Sequence, residues 1–294
     1  MAEIKQLETI AAQVRRDIIR MVSGAASGHP GGSLGAADVL VALYFDVMDI
    51  PADRIERFER SLERHGLGED IFYLSNGHIS PLLYSVLARR GYFPVEELGG
   101  FRKVGTRVQG HPTPAKGLPG VRVASGSLGQ GLSVAVGSAL AKRMDGDRAH
   151  RVFVMMGDGE LEEGQIWEAA LFAAARGVDN VVGIVDMNGQ QIDGTCDTVL
   201  GMGCAERLRA KWEAFGWIVL DMDGHDMAQI VETLRRAKEE VCGQGKPVVV
   251  LARTVMGRGV DFMAGTNEWH GKAPNAEQTE RALAQLPETG LGDF

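Results

Sequence analysis

The feature of this sequence that most limits its fold is a series of short apolar segments separated by helical ones. Four of these segments, at residues 152–156, 181–186, 217–221 and 247–253, are apolar almost throughout. Another strand is predicted at residues 71–75. Apolar strands that alternate with helices are typical of parallel sheets covered on both faces. We therefore expect an α/β fold with a mainly parallel central sheet and helices on both faces.

The helical segments extend this pattern over the whole chain. An amphipathic first helix is predicted because Ile10, Val14, Ile18 and Met21 fall on one helical face. The other predicted helices cover residues 36–45, 81–90, 127–143, 162–176, 206–215, 227–241 and 277–285. With 294 residues, of which 45% are hydrophobic, the chain is long enough for a sizeable core. We expect residues 1–275 to form a single domain and residues 276–294 to form a C-terminal helix and tail.

Composition excludes several classes of function. The formal net charge is -8 and no basic run occurs, so nucleic-acid binding is not expected. The first residues lack the apolar core of a signal peptide, and no segment reaches the roughly 20 apolar residues of a membrane span. The cysteines Cys196, Cys204 and Cys242 form no CxxC pair, which suits reduced thiols in the cytoplasm.

Two polar segments follow predicted strands and point to a ligand site. Gly157-Asp158-Gly159 comes directly after the strand at 152–156, and Asn188 lies 30 positions after Asp158, about one βαβ unit later. Ligands of open parallel sheets bind beyond the carboxyl ends of the strands. If the two strands are neighbours, both oxygen-bearing side chains project into one crevice. Such side chains are ligands for a divalent cation like Mg²⁺, which in turn binds phosphate oxygens. The sequence therefore predicts a cation that bridges the protein to a diphosphate.

Other phosphate-binding motifs do not fit. No GxxxxGK[ST] sequence occurs, and the segment that begins at Gly157 lacks the third glycine of a GxGxxG fingerprint. Nucleotide binding through a P-loop or a Rossmann fingerprint is therefore not expected.

The GDG segment, followed by Asn188, resembles the thiamine diphosphate motif. The wider sequence resembles the transketolase family in five motifs that occur in the family's order. These are residues 27–40 (SGHPGGSLGAADVL), 74–84 (LSNGHISPLLY), 110–137, 157–194 and 268–274 (EWHGKAP). The resemblance covers about residues 5–275, and it implies a thiamine-diphosphate-binding fold.

The resemblance also implies how the cofactor is held. It assigns the metal ion to the side chains of Asp158 and Asn188 and to the main-chain oxygen of Gln190. The residues that it implies contact thiamine diphosphate itself are Gly159, His78 and His270 at the diphosphate, Gly126 and Leu128 at the aminopyrimidine, and Ile192 beside the cofactor. Asn188 is part of this cofactor-binding set through the metal.

Four histidines beside glycines form the second implied set. The resemblance assigns His29 and His111 to the sugar, with His78 and His270 nearby as further catalytic groups. Loop glycines let a ligand approach closely, and imidazole can hydrogen-bond hydroxyls and move protons near neutral pH. The other histidines, His65, His150 and His225, lie outside the matched motifs and are assigned no role.

The acidic residues after the GDG segment have two interpretations. Glu160 and Glu162 are expected to interact with the dipole of the following helix. Glu163 and Glu168 match family glutamates near the subunit interface that links two cofactor sites. The resemblance therefore adds Glu163 to the catalytic set and Glu168 to the cofactor-binding set.

The expected reaction is the transfer of a two-carbon ketol unit from a ketose phosphate to an aldose phosphate, as in the pentose phosphate pathway. In the family, a second domain on a partner chain supplies the glutamate that activates the pyrimidine. Only 24 residues follow His270, too few for another α/β domain. We therefore expect a separate pyrimidine-domain subunit to complete each site, in an α2β2 heterotetramer that is inactive without it.

Three alternatives stay open from the sequence. The chain could be the diphosphate-binding subunit of another thiamine enzyme, although a 2-oxo acid has no row of hydroxyls for the histidines to bind. It could serve a transketolase that acts on a sulfonated or branched sugar. It could also be a non-catalytic module that kept the fold, which an intact set of Asp158, Asn188 and histidines disfavours.

Overall fold

A five-stranded parallel sheet lies at the centre of the computed structural model, which describes residues 3–201 and 205–294. In chain order the strands are β1 (Ile71–Leu74), β2 (Val152–Gly157), β3 (Val181–Met187), β4 (Gln190–Gln191), β5 (Gly194–Thr195), β6 (Ile218–Asp223) and β7 (Val248–Arg253). The order across the main sheet is β1-β2-β3-β7-β6, and each neighbouring pair is parallel. Strands β4 and β5 form a separate antiparallel hairpin. The predicted α/β fold with a parallel central sheet is confirmed.

Helices connect the strands. They are α1 (Ile4–Gly24), α2 (Pro30–Gly35), α3 (Ala37–Ala42), α4 (Ala52–Glu56), α5 (Phe58–Glu63), α6 (Ser80–Arg90), α7 (Gly131–Met144), α8 (Gly164–Ala175), α9 (Cys196–Val199), α10 (Ala205–Ala214), α11 (Met227–Arg236) and α12 (Ala276–Gln285). Short π-helical turns extend α3 over Leu43–Val47 and α11 over Ala237–Val241. Within the described residues, none of these helices has both the length and the apolar content to cross a bilayer.

Two apolar cores cover the two faces of the sheet. Alternate strand residues point to opposite faces. Phe153 and Met155 of β2 therefore pack with α1, α3, α6 and α11 on one face. Val154 and Met156 pack with α7, α8 and α10 on the other. Burial on both faces explains why the strands are apolar throughout rather than alternating with polar residues.

The strand register brings three chain segments to one edge of the sheet. Gly157 at the end of β2 pairs with Asp186 in β3. Asp186 also pairs with Ala252 in β7. Since the strands are parallel, the segments that follow them begin side by side. The neighbouring arrangement of the strands before Asp158 and Asn188, on which the predicted cation site depends, is present.

Several element boundaries differ from the sequence expectations. Helix α7 begins at Gly131 rather than residue 127, because Gly129 adopts a φ of +85°, outside the helical region. Helix α8 begins at Gly164, and the acidic residues before it form a 3₁₀ turn, Gly159–Glu162. The polar segment at 51–70 contains α4 and α5.

The C-terminal residues pack against the first helix. Arg16 of α1 forms hydrogen bonds with both carboxylate oxygens of Asp293, at 2.9 and 2.7 Å. The N-terminal residues Met1 and Ala2, which the sequence assigns to the first helix, lie outside the described residues, as does Cys204. Cys196 and Cys242 are free and buried.

Candidate active site

The polar segments after β2 and β3 meet in one pocket. Asp158 follows the last residue of β2, and Asn188 follows the last residue of β3. Both line the same pocket as Gln190, which belongs to the hairpin beyond Asn188. The structure thus brings together the three residues that the family resemblance assigns to a metal ion.

Asp158 is a carboxylate in a dry environment. Only 2% of its surface is exposed. Its Oδ1 accepts a hydrogen bond from the Gly159 amide at 2.9 Å, and its Oδ2 accepts one from the Gly189 amide at 2.6 Å. Burial, and then the nearby carboxylate of Asp186, raise the pKa of Asp158 to about 7. A buried carboxylate with no adjacent cation is costly, so a bound cation would stabilise its charged form.

The donors around Asp158 fit a hard cation. Asp158, Asn188 and Gln190 line the same pocket, and they carry a carboxylate, a side-chain amide oxygen and a main-chain oxygen that such a cation can bind. Mg²⁺ and similar cations take such ligands and usually add phosphate or water oxygens. Among residues 3–201 and 205–294, no cluster of three or more His, Cys, Asp or Glu side chains could hold a metal. A site that uses an amide and a main-chain oxygen is consistent with this finding.

Three of the four predicted histidines form a compact cluster at the pocket. The ring centroids of His78 and His270 are 5.1 Å apart and stacked. His29 lies 5.2 Å from His78 and 5.6 Å from His270. Of these rings, those of His78 and His270 line the pocket, and that of His29 does not. The structure therefore joins residues that are 241 positions apart, which the sequence predicted only through the family resemblance.

Burial keeps these imidazoles neutral. Burial is the largest cause that lowers the pKa of His78 to about 3, and electrostatic repulsion between the protonated forms of His78 and His270 is the second. The same two causes lower the pKa of His29 to about 4, and burial lowers that of His270. A neutral imidazole has one donor and one acceptor nitrogen. The buried Nδ1 atoms of His29 and His270 have no hydrogen-bond partner in the described part of the chain.

His111 stands apart from the cluster. Its ring makes no close ring contact with the other three histidines in the described structure. Burial, and then the charge on Arg102, lower the pKa of His111. It packs against Gly126, whose φ is +130°, and a Cβ on Gly126 would lie 2.8 Å from the His111 ring. Leu128, two residues later, lines the pocket.

The hairpin β4–β5 supplies the outer wall. Ile192 at its tip lines the pocket and is 66% exposed, so it is free to pack against a ligand. Gly159 lies opposite, where a Cβ would come within 2.9 Å of the Gln191 side chain. The pocket encloses about 100 Å³, whereas small-molecule pockets usually enclose roughly 300–1,000 Å³. The described residues therefore surround only part of a ligand as large as thiamine diphosphate.

Glu163 and Glu168 lie outside this pocket. Glu163 precedes the first residue of α8, Glu168 lies on the same helix, and both are exposed. Glu163 contacts the segment that carries Leu128, because a Cβ on Gly129 would lie 2.8 Å from its Cβ. The structure thus places the two glutamates on the surface beside the site.

Glu160 is a site residue that the sequence did not reveal. It was expected to interact with a helix dipole, but its side chain is buried and points inward. Its carboxylate accepts hydrogen bonds from the Gly129 amide at 2.8 Å, the Gly157 amide at 3.1 Å and the Ser75 hydroxyl. Burial raises the pKa of Glu160, and these hydrogen bonds oppose the rise. Glu160 thereby ties the Leu128 loop to the end of β2. No local signal distinguishes it from the acids beside it.

Asp186 and Asn76 were also missed. Both are buried pocket-lining residues. Asp186 accepts hydrogen bonds from Asn188 and Thr254. The Oδ1 atom of Asn76 is buried and has no partner within the described residues. Their position after or within a buried strand was visible in the sequence, but their direction was not.

The histidines that were assigned no role have structural or exposed positions. His225 hydrogen-bonds Asp38 at 3.0 Å and accepts from the Val255 amide at 2.8 Å. His150 hydrogen-bonds Asp147 at 2.7 Å. His65 is exposed. None of the three lines the pocket.

Comparison with known proteins agrees with this geometry. The sequence profile described as "Transketolase, thiamine diphosphate binding domain" matches residues 7–288. The chain is 37% identical over 286 residues to a protein of Phocaeicola vulgatus named as one of the subunits of apulose-4-phosphate transketolase, covering 97% of this chain and 95% of that protein. It is 38% identical over 284 residues to "6-deoxy-6-sulfo-D-fructose transketolase subunit SqwG" of Clostridium sp., covering 97% of each.

A solved structure is similar in fold as well. The transketolase from Leishmania mexicana superposes with a TM-score of 0.83 at 30% identity, and the match covers 98% of this chain. The chain spans 42% of the length of that transketolase. The two bacterial relatives, by contrast, are matched over nearly their whole length and are named as subunits.

Proposed function

The chain belongs to the transketolase family through its thiamine diphosphate-binding domain, and from this premise we propose that it is one subunit of a split transketolase. The reaction is the transfer of a two-carbon ketol unit from a ketose phosphate to an aldose phosphate. The observation that carries the proposal is the meeting of Asp158, Asn188 and a neutral histidine cluster in one pocket. Residues 1–275 form the cofactor domain, and residues 276–294 are its C-terminal helix and tail.

We assign the cofactor contacts as follows. Asp158, Asn188 and the main-chain oxygen of Gln190 hold Mg²⁺ or another divalent cation, which neutralises the diphosphate. The remaining contacts are made by Gly159, His78 and His270 at the diphosphate, by Gly126 and Leu128 at the pyrimidine and by Ile192 beside the thiazolium. When bound, thiamine diphosphate supplies the carbanion chemistry that cleaves and forms the C–C bonds.

The protein's own contribution is proton handling and orientation. His29 and His111 bind sugar hydroxyls, with His78 and His270 next to them. Their lowered pKa values leave them neutral near pH 7, so each ring can donate one hydrogen bond and accept another. A neutral imidazole can also take a proton from a hydroxyl as the C–C bond breaks.

A partner chain completes the site. The pocket surrounds only part of a cofactor-sized ligand, and a relative matched over 95% of its length is named as one part of a multi-subunit transketolase. We propose that a pyrimidine-domain chain covers the cofactor, in an α2β2 assembly in the cytoplasm. Glu163 and Glu168 lie exposed on the surface beside the pocket, where they can link two cofactor sites across the interface.

A modified sugar is the second candidate substrate. The two relatives described above are named for apulose 4-phosphate and for 6-deoxy-6-sulfo-D-fructose. Their full-length similarity supports a branched or sulfonated donor as strongly as the ordinary sugars of the pentose phosphate pathway. The residues named here bind features that these sugars share, so they do not distinguish among the substrates.

The test is ketol transfer by the chain with and without its partner. Donors would be xylulose 5-phosphate, apulose 4-phosphate and 6-deoxy-6-sulfo-D-fructose, each with thiamine diphosphate and Mg²⁺. We expect activity with at least one donor, and only in the complex. Full activity of the isolated chain would contradict the split site, and no ketol transfer from any donor by an intact complex would contradict the reaction.

Two histidine substitutions, one in the buried cluster and one on the surface, test the role of His29. His29→Gln removes a ring from the buried cluster, and we expect at least a tenfold loss of kcat/KM. His65→Gln changes an exposed histidine outside the pocket and should leave kcat/KM unchanged. Equal effects of the two substitutions would exclude a specific role for His29.

A further inference from the structure

The amide of Asn188 is held between two neighbours. Its Nδ2 donates a hydrogen bond to Oδ2 of Asp186 at 2.9 Å. Its Oδ1 accepts a hydrogen bond from the Gln190 amide at 2.9 Å. Asp186 is 2% exposed and lies in β3, two positions before Asn188. The orientation of this amide is therefore fixed on both sides.

Only one end of a primary amide can bind a metal ion. The amide oxygen is a ligand, whereas the NH₂ group is a donor and repels a cation. A carboxylate can only accept hydrogen bonds, so it selects the NH₂ end of a neighbouring amide. Asp186 consequently turns the Asn188 nitrogen toward itself and the oxygen away from itself.

We propose that Asp186 is a positioning residue that directs the Asn188 oxygen to the metal ion. The inference rests on the proposed metal role of Asn188. Partners that orient metal ligands typically contribute about 10–100-fold to metal affinity. Asp186 itself is not among the residues assigned to the metal ion; its Oδ2 accepts from Asn188 and its Oδ1 accepts from Thr254.

Thr254 fixes Asp186 in turn. Its hydroxyl donates to Oδ1 of Asp186, and its amide donates to the Met187 carbonyl at 3.2 Å. Thr254 directly follows β7, and Met256, two residues later, lines the pocket. The orientation of Asn188 is therefore tied to the neighbouring strand and not only to its own loop.

Variants of Asp186 distinguish its effect on the orientation of the Asn188 amide from the effect of its side-chain volume. Asp186→Leu keeps the volume but removes both acceptors, so only the hydrogen bond from the Gln190 amide still orients Asn188. A carboxylate presents an oxygen in both orientations, so Asn188→Asp should make the orienting partner unnecessary. Asp186→Leu/Asn188→Asp also preserves the net charge of the pocket. Asp186→Asn can still accept from Asn188 while donating to the Thr254 hydroxyl, which makes it the conservative variant.

The measurement is the Mg²⁺ dependence of thiamine diphosphate binding by the complex of this chain with its partner, followed by tryptophan fluorescence and repeated with Mn²⁺ by electron paramagnetic resonance. We expect Asp186→Leu to weaken metal binding about 10–100-fold. Both Asp186→Asn and the double variant should bind within about fivefold of wild type.

Different results would contradict the role of Asp186 and the proposed metal site. Wild-type affinity in Asp186→Leu, or a folded double variant as weak as Asp186→Leu, would overturn the role of Asp186 alone. Absence of metal-dependent cofactor binding by the wild-type complex would overturn the proposed metal site, and this role with it. If Asp186→Leu does not fold, the test is the NMR signal of the Asn188 side-chain NH₂ group in the wild-type protein. That signal is assigned by its disappearance in Asn188→Asp. Slow exchange of that signal with water supports the bond to Asp186, and fast exchange overturns it.

Discussion

The ion pair between Arg89 and Asp17 should be the most sensitive polar contact between helices α1 and α6. Asp17 is fully buried, and Arg89 donates to its two oxygens at 2.8 and 2.7 Å. Gln13 and Ser85 supply the other hydrogen bonds to Asp17, at 3.1 and 2.8 Å. Arg89 is the one cation among these partners, so Arg89→Met leaves a buried carboxylate without a counter-charge.

Removal of one partner from a buried ion pair usually costs about 3–5 kcal/mol, because the remaining charge stays desolvated. We expect Arg89→Met to lower the free energy of unfolding by that amount at pH 7. Asp17→Leu/Arg89→Met removes both charges and should recover most of the loss.

Urea unfolding followed by tryptophan fluorescence measures these differences. Arg57→Met is the matched control, because Arg57 and Glu59 also form an ion pair at 3.0 Å but their side chains are 57% and 58% exposed. Exposed pairs contribute about 0–1 kcal/mol. A loss of less than about 1 kcal/mol in Arg89→Met, or a loss no greater than in Arg57→Met, would refute the reasoning.

Three further predictions concern the tail and the site. Asp293→Asn should destabilise the chain by about 1–2 kcal/mol at pH 7. The hydrogen bond from Arg16 holds the pKa of Asp293 well below its usual range. Its contribution is therefore complete above about pH 4 and is lost only as pH falls through the lowered pKa of the folded state. The difference in free energy of unfolding between wild type and variant should stay constant at higher pH and begin to shrink once pH falls below that point, and a difference that does not shrink there would contradict this. Gly126 has a φ of +130°, and a Cβ there would lie 2.8 Å from the His111 ring. Gly126→Ala should therefore lower kcat/KM of the complex at least tenfold, while the far-ultraviolet circular dichroism spectrum stays unchanged. Gly137→Ala is its control, because a Cβ at Gly137 would meet nothing within 4 Å. Arg102→Met removes a positive charge that helps to lower the pKa values of His29 and His111, so both should rise, and histidine titration by NMR that shows no rise would exclude this effect.

Much of the fold could be predicted because its signals are local. A strand buried on both faces must be apolar along its length, and this identified each strand of the main sheet to within about two residues. The helix boundaries that differed depend on particular backbone conformations. Helix α7 begins after Gly129 because this residue has a positive φ, and α8 begins later than predicted because a 3₁₀ turn follows Asp158.

The candidate site was predictable in part. Asp158 and Asn188 each follow a strand, so one assumption about strand order was enough to bring them together, and the register of β2 and β3 supports it. The histidine cluster could be predicted only from the family resemblance, because no local sequence pattern shows that His29, His78 and His270 lie close together. Glu160 was misread because the same acidic turn can point to water or into the protein.

The parallel α/β architecture, the family and the oxygen-bearing residues at the strand ends could all be inferred from the amino-acid sequence. These properties depend on hydrophobic periodicity and on residue types at fixed spacing, both of which are local features of the chain. Which buried polar groups face one another became visible only in the folded protein. Asp186 beside Asn188, Glu160 beneath the Leu128 loop and the contacts among the histidines are examples. The physical reason is that burial and hydrogen bonding depend on distances between segments far apart in sequence, and those distances exist only once the sheet and its two helical layers have packed.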